Sequence, residues 1–140
     1  MDKKKEITHF RDLDVYRKSF TTAMTLFEIT KAFPSEELFS LVDQMRRSSR
    51  SVCSCIAEAY RKRQYQNYFV NKSSDADGEN SETIVWLEFS LASGYISKEE
   101  FDETELEAEE VGKMLNTMIE HPEKFLPKEK QIPENIIIKE

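Results

Sequence analysis

The sequence predicts an all-α protein folded as one antiparallel, up-down-up-down four-helix bundle. A chain of 140 residues suits one domain and is long enough to bury a real core. Its three glycines are few, and its four prolines (Pro34, Pro122, Pro127, Pro133) leave long uninterrupted stretches, as helices require. Apolar residues return every three or four positions in four segments, and short connections between such segments favour antiparallel neighbours. The expected layout is an N-terminal arm over 1–11, the bundle over 12–121 and a flexible tail over 122–140.

Helix one is expected from about Asp12, acting as N-cap, to about Ala32. Leu13, Tyr16, Phe20, Ala23 and Phe27 form its stripe, widened by Val15, Met24, Leu26 and Ile29. Phe33-Pro34 stops it, because proline disfavours helical geometry in the residue before it. Ser35 should cap helix two, with Glu36 and Glu37 favourably placed in the first turn. Leu38, Leu41, Met45, Val52, Ile56 and Ala59 mark its buried side, with Ser48 between Met45 and Val52.

Helix three is expected over about Gln66–Ser93. Its middle, Lys72 to Glu82, is polar throughout and contains Asp77-Gly78, so a loop interrupting the helix is the alternative reading. Gly94 suits a left-handed helix end. Ser97 with Glu100 forms a capping box for helix four, whose apolar face is Phe101, Ala108, Val111, Leu115, Met118 and Ile119. Pro122 ends that helix, and Ile136-Ile137-Ile138 in the tail could dock somewhere.

Composition excludes several functions. No apolar run is long enough to span a membrane, and the charged start is no signal-peptide core, so a cytoplasmic address is expected. With only His9 and His121, a histidine triad or zinc site finds no support. One Glu-x-x-His, Glu6 to His9, lacks the second copy that a di-iron bundle needs. An EF-hand loop starting at Asp75 would want glycine sixth and glutamate twelfth, where Asn80 and Trp86 stand. No enzyme activity, cofactor, metal or small-molecule substrate is expected. Cys53 and Cys55 point about 200° apart on a helix, cannot pair with each other, and read as buried free thiols.

The informative feature is charge. The chain carries −7, yet residues 44–63 hold six basic groups against the single acid Glu58. Arg46, Arg47 and Arg50 on helix two could meet Asp75, Asp77, Glu79 and Glu82 on helix three, within one chain or across to the next. Contacts of the second kind would be heterologous and could close into a ring. Alternatively Arg50, Arg61, Lys62 and Arg63, interleaved with Tyr60 and Tyr65, could contact RNA or DNA.

Several ordered motifs are then familiar: Phe10-x-x-Leu13-x-Val15-Tyr16, Phe33-Pro34-x-Glu36-Glu37, Gln44-Met45-Arg46-Arg47-Ser48-Ser49-x-Ser51-Val52, and Ile56-Ala57-Glu58-Ala59-x-Arg61. With Gly78-x-x-Ser81-Glu82-Thr83 and Gly94-Tyr95-Ile96, they resemble the intervening-sequence proteins encoded within large-subunit ribosomal RNA genes. The resemblance covers about residues 8–120. It implies a four-helix bundle with a continuous third helix, commonly assembled as a homopentamer. A related branch serves reverse transcriptases as a nucleic-acid-binding accessory subunit. It also implies that Glu58 pairs with an arginine inside the bundle. The chain departs from the family pattern at Cys55 and Ala59, where asparagine and glycine are usual, and its −7 charge contrasts with the basic nucleic-acid-binding branch.

Overall fold

The structure, a computed structural model, describes residues 6–127, so what the sequence suggests for 1–5 and for 128–140, including Ile136–Ile138, lies outside the described residues. Four helices follow in order: α1 (Asp14–Thr30), α2 (Leu41–Arg61), α3 (Gln66–Ala92) and α4 (Lys98–Glu120). Consecutive helices pack together and α4 returns against α1, which closes the four-helix bundle. No strand occurs among the described residues.

The bundle opens differently from the sequence expectation. Asp12 does not cap α1; its carboxylate accepts from the backbone N–H groups of Thr8 and His9, at 3.0 Å each, and closes a capping box on a 3-10 turn over Phe10–Asp12. Leu13, buried, stands at the N-cap of α1 without a side-chain cap. Likewise Ser35 opens a short 3-10 turn, Ser35–Glu37, and α2 begins only at Leu41. Pro34 fixes extended geometry before that turn. The delay leaves Leu38 half out in solvent, not on the buried side of α2.

The inner face of α1 is also rotated from the expected stripe. Val15, Ser19, Thr22, Ala23, Leu26 and Thr30 are buried, whereas Phe20 is 50% and Met24 46% exposed. Hydroxyl side chains on the inside bring the backbones together and return their own hydrogen bonds to the helix: Thr22 donates to Lys18 O and Thr30 to Leu26 O. The bulky rings are thereby displaced toward the outer groove beside α2. Size, more than hydrophobicity, decides which residues face inward here.

The same rule explains α3, which is continuous through Asp77-Gly78 as the family resemblance implies; the loop alternative is not realised. Its buried positions are Phe69, Ser73, Ala76, Asn80, Thr83, Leu87 and Ser90, alternating steps of four and three. Ser73, Thr83 and Ser90 donate to carbonyls one turn back. Across the seam the Ser48 and Thr83 hydroxyls share a hydrogen bond of 2.8 Å, and Asn80 Nδ2 donates to Ala108 O of α4 at 2.8 Å. A polar stretch can therefore be core, because the Ser73 and Thr83 hydroxyls and the Asn80 amide each donate to a partner.

Apolar packing concentrates at the two ends. One cluster joins Leu13, Ile56, Phe69, Leu115 and Met118 at the base, where Phe125 stacks on Phe69. The other joins Leu26, Phe33, Met45, Leu87, Ile96 and Phe101 at the top. Between them lies a waist of hydroxyls and Asn80. At the top turn Gly94 takes φ 77°, a left-handed helix end, and Ser97 and Glu100 complete the expected capping box on α4.

Candidate interaction surfaces

The arginines of α2 divide between two neighbours. Arg47 points to α3, donating to Glu79 at 3.1 Å and to Glu82 through its second terminal nitrogen, while its Nε donates to Gln44. Burial tends to lower its pKa, but the hydrogen bond to Glu82 and the charge of Glu79 outweigh that and hold it above the usual arginine value. The expected contact with Glu79 and Glu82 thus forms inside one chain.

Arg46 and Arg50 do not join it. They turn toward α1, Arg46 about 100° and Arg50 about 60° around α2 from Arg47. Arg46 Nε donates to Thr30 Oγ1 at 3.0 Å, and its guanidinium lies 4.7 Å from the Phe27 ring. Arg50 approaches the same ring at 5.8 Å. Neither has a carboxylate partner among the described residues. Arg46 is half-buried and Arg50 exposed, both placed by cation–π contact with Phe27.

Glu58 pairs with a lysine, not an arginine: Lys72 Nζ lies 2.8 Å from Glu58 and 3.8 Å from Asp75. The hydrogen bond that Lys72 donates to Glu58, then the charge of Glu58, raise the Lys72 pKa above the usual lysine value. Arg61, one turn beyond Glu58, is exposed instead. Asp77 forms no ion pair among the described residues. The role of Lys72 goes beyond the arginine–carboxylate contacts that the sequence suggests. Its signal was available, since it is the lone basic residue between Arg63 and Lys98 and stands three before Asp75. Also unforeseen are the α1–α4 ion pair of Lys18 with Glu110, and the hydrogen bond from Thr22 to Glu107 at 3.3 Å.

At the base, Arg61 and Lys62 are exposed, whereas Arg63 folds back over the Tyr60 ring at 4.0 Å and donates to Tyr60 O. Tyr65 and Tyr68 open α3 and are exposed as well. Arg50 lies eleven residues before Arg61, about 16 Å along the helix at 1.5 Å per residue, so it stands apart from this basic turn.

Cys53 and Cys55 are both free and buried. Burial pushes both thiols up in pKa, and for Cys53 a hydrogen bond to the Ser19 hydroxyl, at 3.5 Å, partly offsets it. Among the described residues no group of three histidine, cysteine or carboxylate side chains could hold a metal ion, and no helix is long and apolar enough to cross a membrane.

Large apolar side chains nevertheless remain outside: Phe20, Met24, Val85, Phe89, Leu106 and, at 90% exposure, Phe39. Single exposed apolar residues are ordinary, but here Phe20 and Met24 lie one turn apart on α1, and Val85 and Phe89 one turn apart on α3.

Comparison with known proteins agrees with this architecture. No curated protein matches the chain. A solved structure from Bacteroides thetaiotaomicron, described as a protein of unknown function from the S23 ribosomal protein family, superposes with a TM-score of 0.69 at 30% identity. That match covers 76% of this chain and 95% of the other. The profile of the 23S rRNA-intervening sequence proteins matches residues 11–117, nearly the whole bundle. With both the fold and the motif-bearing helices inside that span, the chain belongs to the 23S rRNA-intervening sequence protein family.

Proposed function

We propose that the protein is a non-enzymatic, cytoplasmic, homo-oligomeric scaffold that works by binding, with the pentamer implied by its family resemblance as the assembly. One observation carries the reading: large apolar side chains stay exposed although the ion pairs of Arg47 and Lys72 are satisfied within the chain. Apolar surface of this kind gains free energy when a partner covers it, at about 25 cal/mol per Å². Size-exclusion chromatography with light scattering tests it. The expected mass is a multiple of 16.5 kDa, five-fold for the pentamer. A monomer at every concentration reached would refute the proposal.

A second reading has its own observation. The exposed Arg61 and Lys62 and the exposed Tyr65 and Tyr68 flank the α2–α3 turn within a short stretch of chain. Cations beside aromatic faces suit single-stranded nucleic acid, which supports an RNA- or DNA-binding accessory factor, for instance to a reverse transcriptase. Binding of a labelled single-stranded RNA should weaken with added salt and weaken further in Arg61→Ala/Lys62→Ala. Absence of binding at low salt removes this reading.

A further inference from the structure

Two outward surfaces of the bundle are uncovered and opposite in charge. The first follows α1 beside α2. Phe10, Tyr16 and Phe20 form a ladder of rings with centroids 5.0 and 6.1 Å apart. Met24 continues it by one turn, and Phe27 ends the row beneath the guanidinium groups of Arg46 and Arg50. Those two cations border the strip without carboxylate partners among the described residues.

The second surface is the outer face of α4. Leu106 stands at its centre, 61% exposed. Asp102 and Glu103 precede it by four and three residues, and Glu109 and Glu110 follow by three and four, so carboxylates surround it on one helix face. Asp102 pairs with Lys98 and Glu110 with Lys18. Glu103 and Glu109 are exposed and have no cation partner among the described residues.

An apolar strip edged by unpaired cations thus coexists with an apolar knob edged by unpaired anions on one chain. Resting on the homo-oligomeric reading above, we propose that the α4 knob of one copy seats in the α1–α2 strip of the next. Leu106 then covers Phe20 and Met24, while Glu103 and Glu109 face Arg46 and Arg50. This contact replaces the one suggested by the sequence, because Glu79 and Glu82 are already engaged by Arg47 of their own chain. The two surfaces are different elements, so each copy offers one of each and the contact is heterologous. Repetition of a heterologous contact closes into a ring where the rotation from one copy to the next allows it.

Cysteine cross-linking tests the contact in the full chain. Met24→Cys and Leu106→Cys are exposed positions, and the native thiols are buried. Under mild oxidation, a linked dimer is expected only when the two single variants are mixed. The double variant should give a ladder ending at the ring. Light scattering of the unmodified chain reads assembly separately. An assembled chain that gives no mixed cross-link, or links Met24→Cys to itself, overturns this contact and leaves the homo-oligomer standing. A monomeric chain overturns both.

Discussion

Replacing Arg47 with glutamate separates a bond within the subunit from a bond between subunits. Arg47 bridges Glu79 and Glu82, and its side chain is 43% exposed, so each pair contributes only about 0.5 kcal/mol after solvent screening. Arg47→Ala should therefore cost about 1 kcal/mol, including the repulsion left between two carboxylates three residues apart. Arg47→Glu adds a third carboxylate to the same spot and should cost about 2 kcal/mol. For a domain of this size that lowers Tm by about 8 °C. Urea unfolding followed by far-UV circular dichroism, at low and at high salt, measures it. Salt should shrink the difference, because partly exposed charges are screened within about 10 Å at 0.1 M ionic strength. If Arg47→Glu unfolds at the wild-type midpoint in low salt yet falls apart as an assembly, the in-chain bridge is not where Arg47 acts, and the reasoning fails.

Three further substitutions probe the waist, the top turn and the thiols. Asn80→Ala should lose about 2 kcal/mol from the missing hydrogen bond to Ala108 O and the space left behind. Asn80→Asp should cost more at neutral pH, where its carboxylate would face a carbonyl oxygen, and the gap should close as acid protonates it; equal denaturation midpoints at pH 7 would contradict this. Gly94→Ala should cost about 1 kcal/mol by thermal melting, purely from the backbone, since a Cβ there meets nothing within 4 Å while φ is +77°. The Cys53 thiol has a folded-state pKa above its ordinary 9.0, so its contribution is intact below that value and is lost as pH rises toward the folded pKa, because the unfolded chain releases the proton first. Cys53→Ala should flatten the decline of the urea midpoint between about pH 8 and pH 10, and an unchanged decline would remove this role.

The four helices, the Gly94 stop and the Ser97–Glu100 box were legible because each depends on local pattern. So were the apolar positions of α4, where large residues do fill the core. The face of α1 was not, because hydropathy ranks Tyr16 and Phe20 above Ser19 and Thr22, while close helix approach favours the small pair. Nor was the core role of Ser73, Asn80 and Thr83, since side chains that favour turns when solvated become buried once a partner stands opposite. Of the charged sites, Arg47 with Glu79 and Glu82 was readable from height along antiparallel helices. The partition of Arg46 and Arg50 toward Phe27 needs the rotation of α2 about its axis, which charge spacing alone does not supply. The same holds for Glu58, which takes Lys72 because that cation rises on the facing helix at its own level.

The hydroxyl-lined waist has a mechanical consequence. Leucine-filled seams resist bowing, because any separation opens a void; hydroxyls that bond back to their own helix keep those bonds while the helix bends. Flexure should therefore gather near Ser48 and Thr83, with the oily clusters above and below moving as stiff blocks. A bundle built this way can change its curvature without loosening either end.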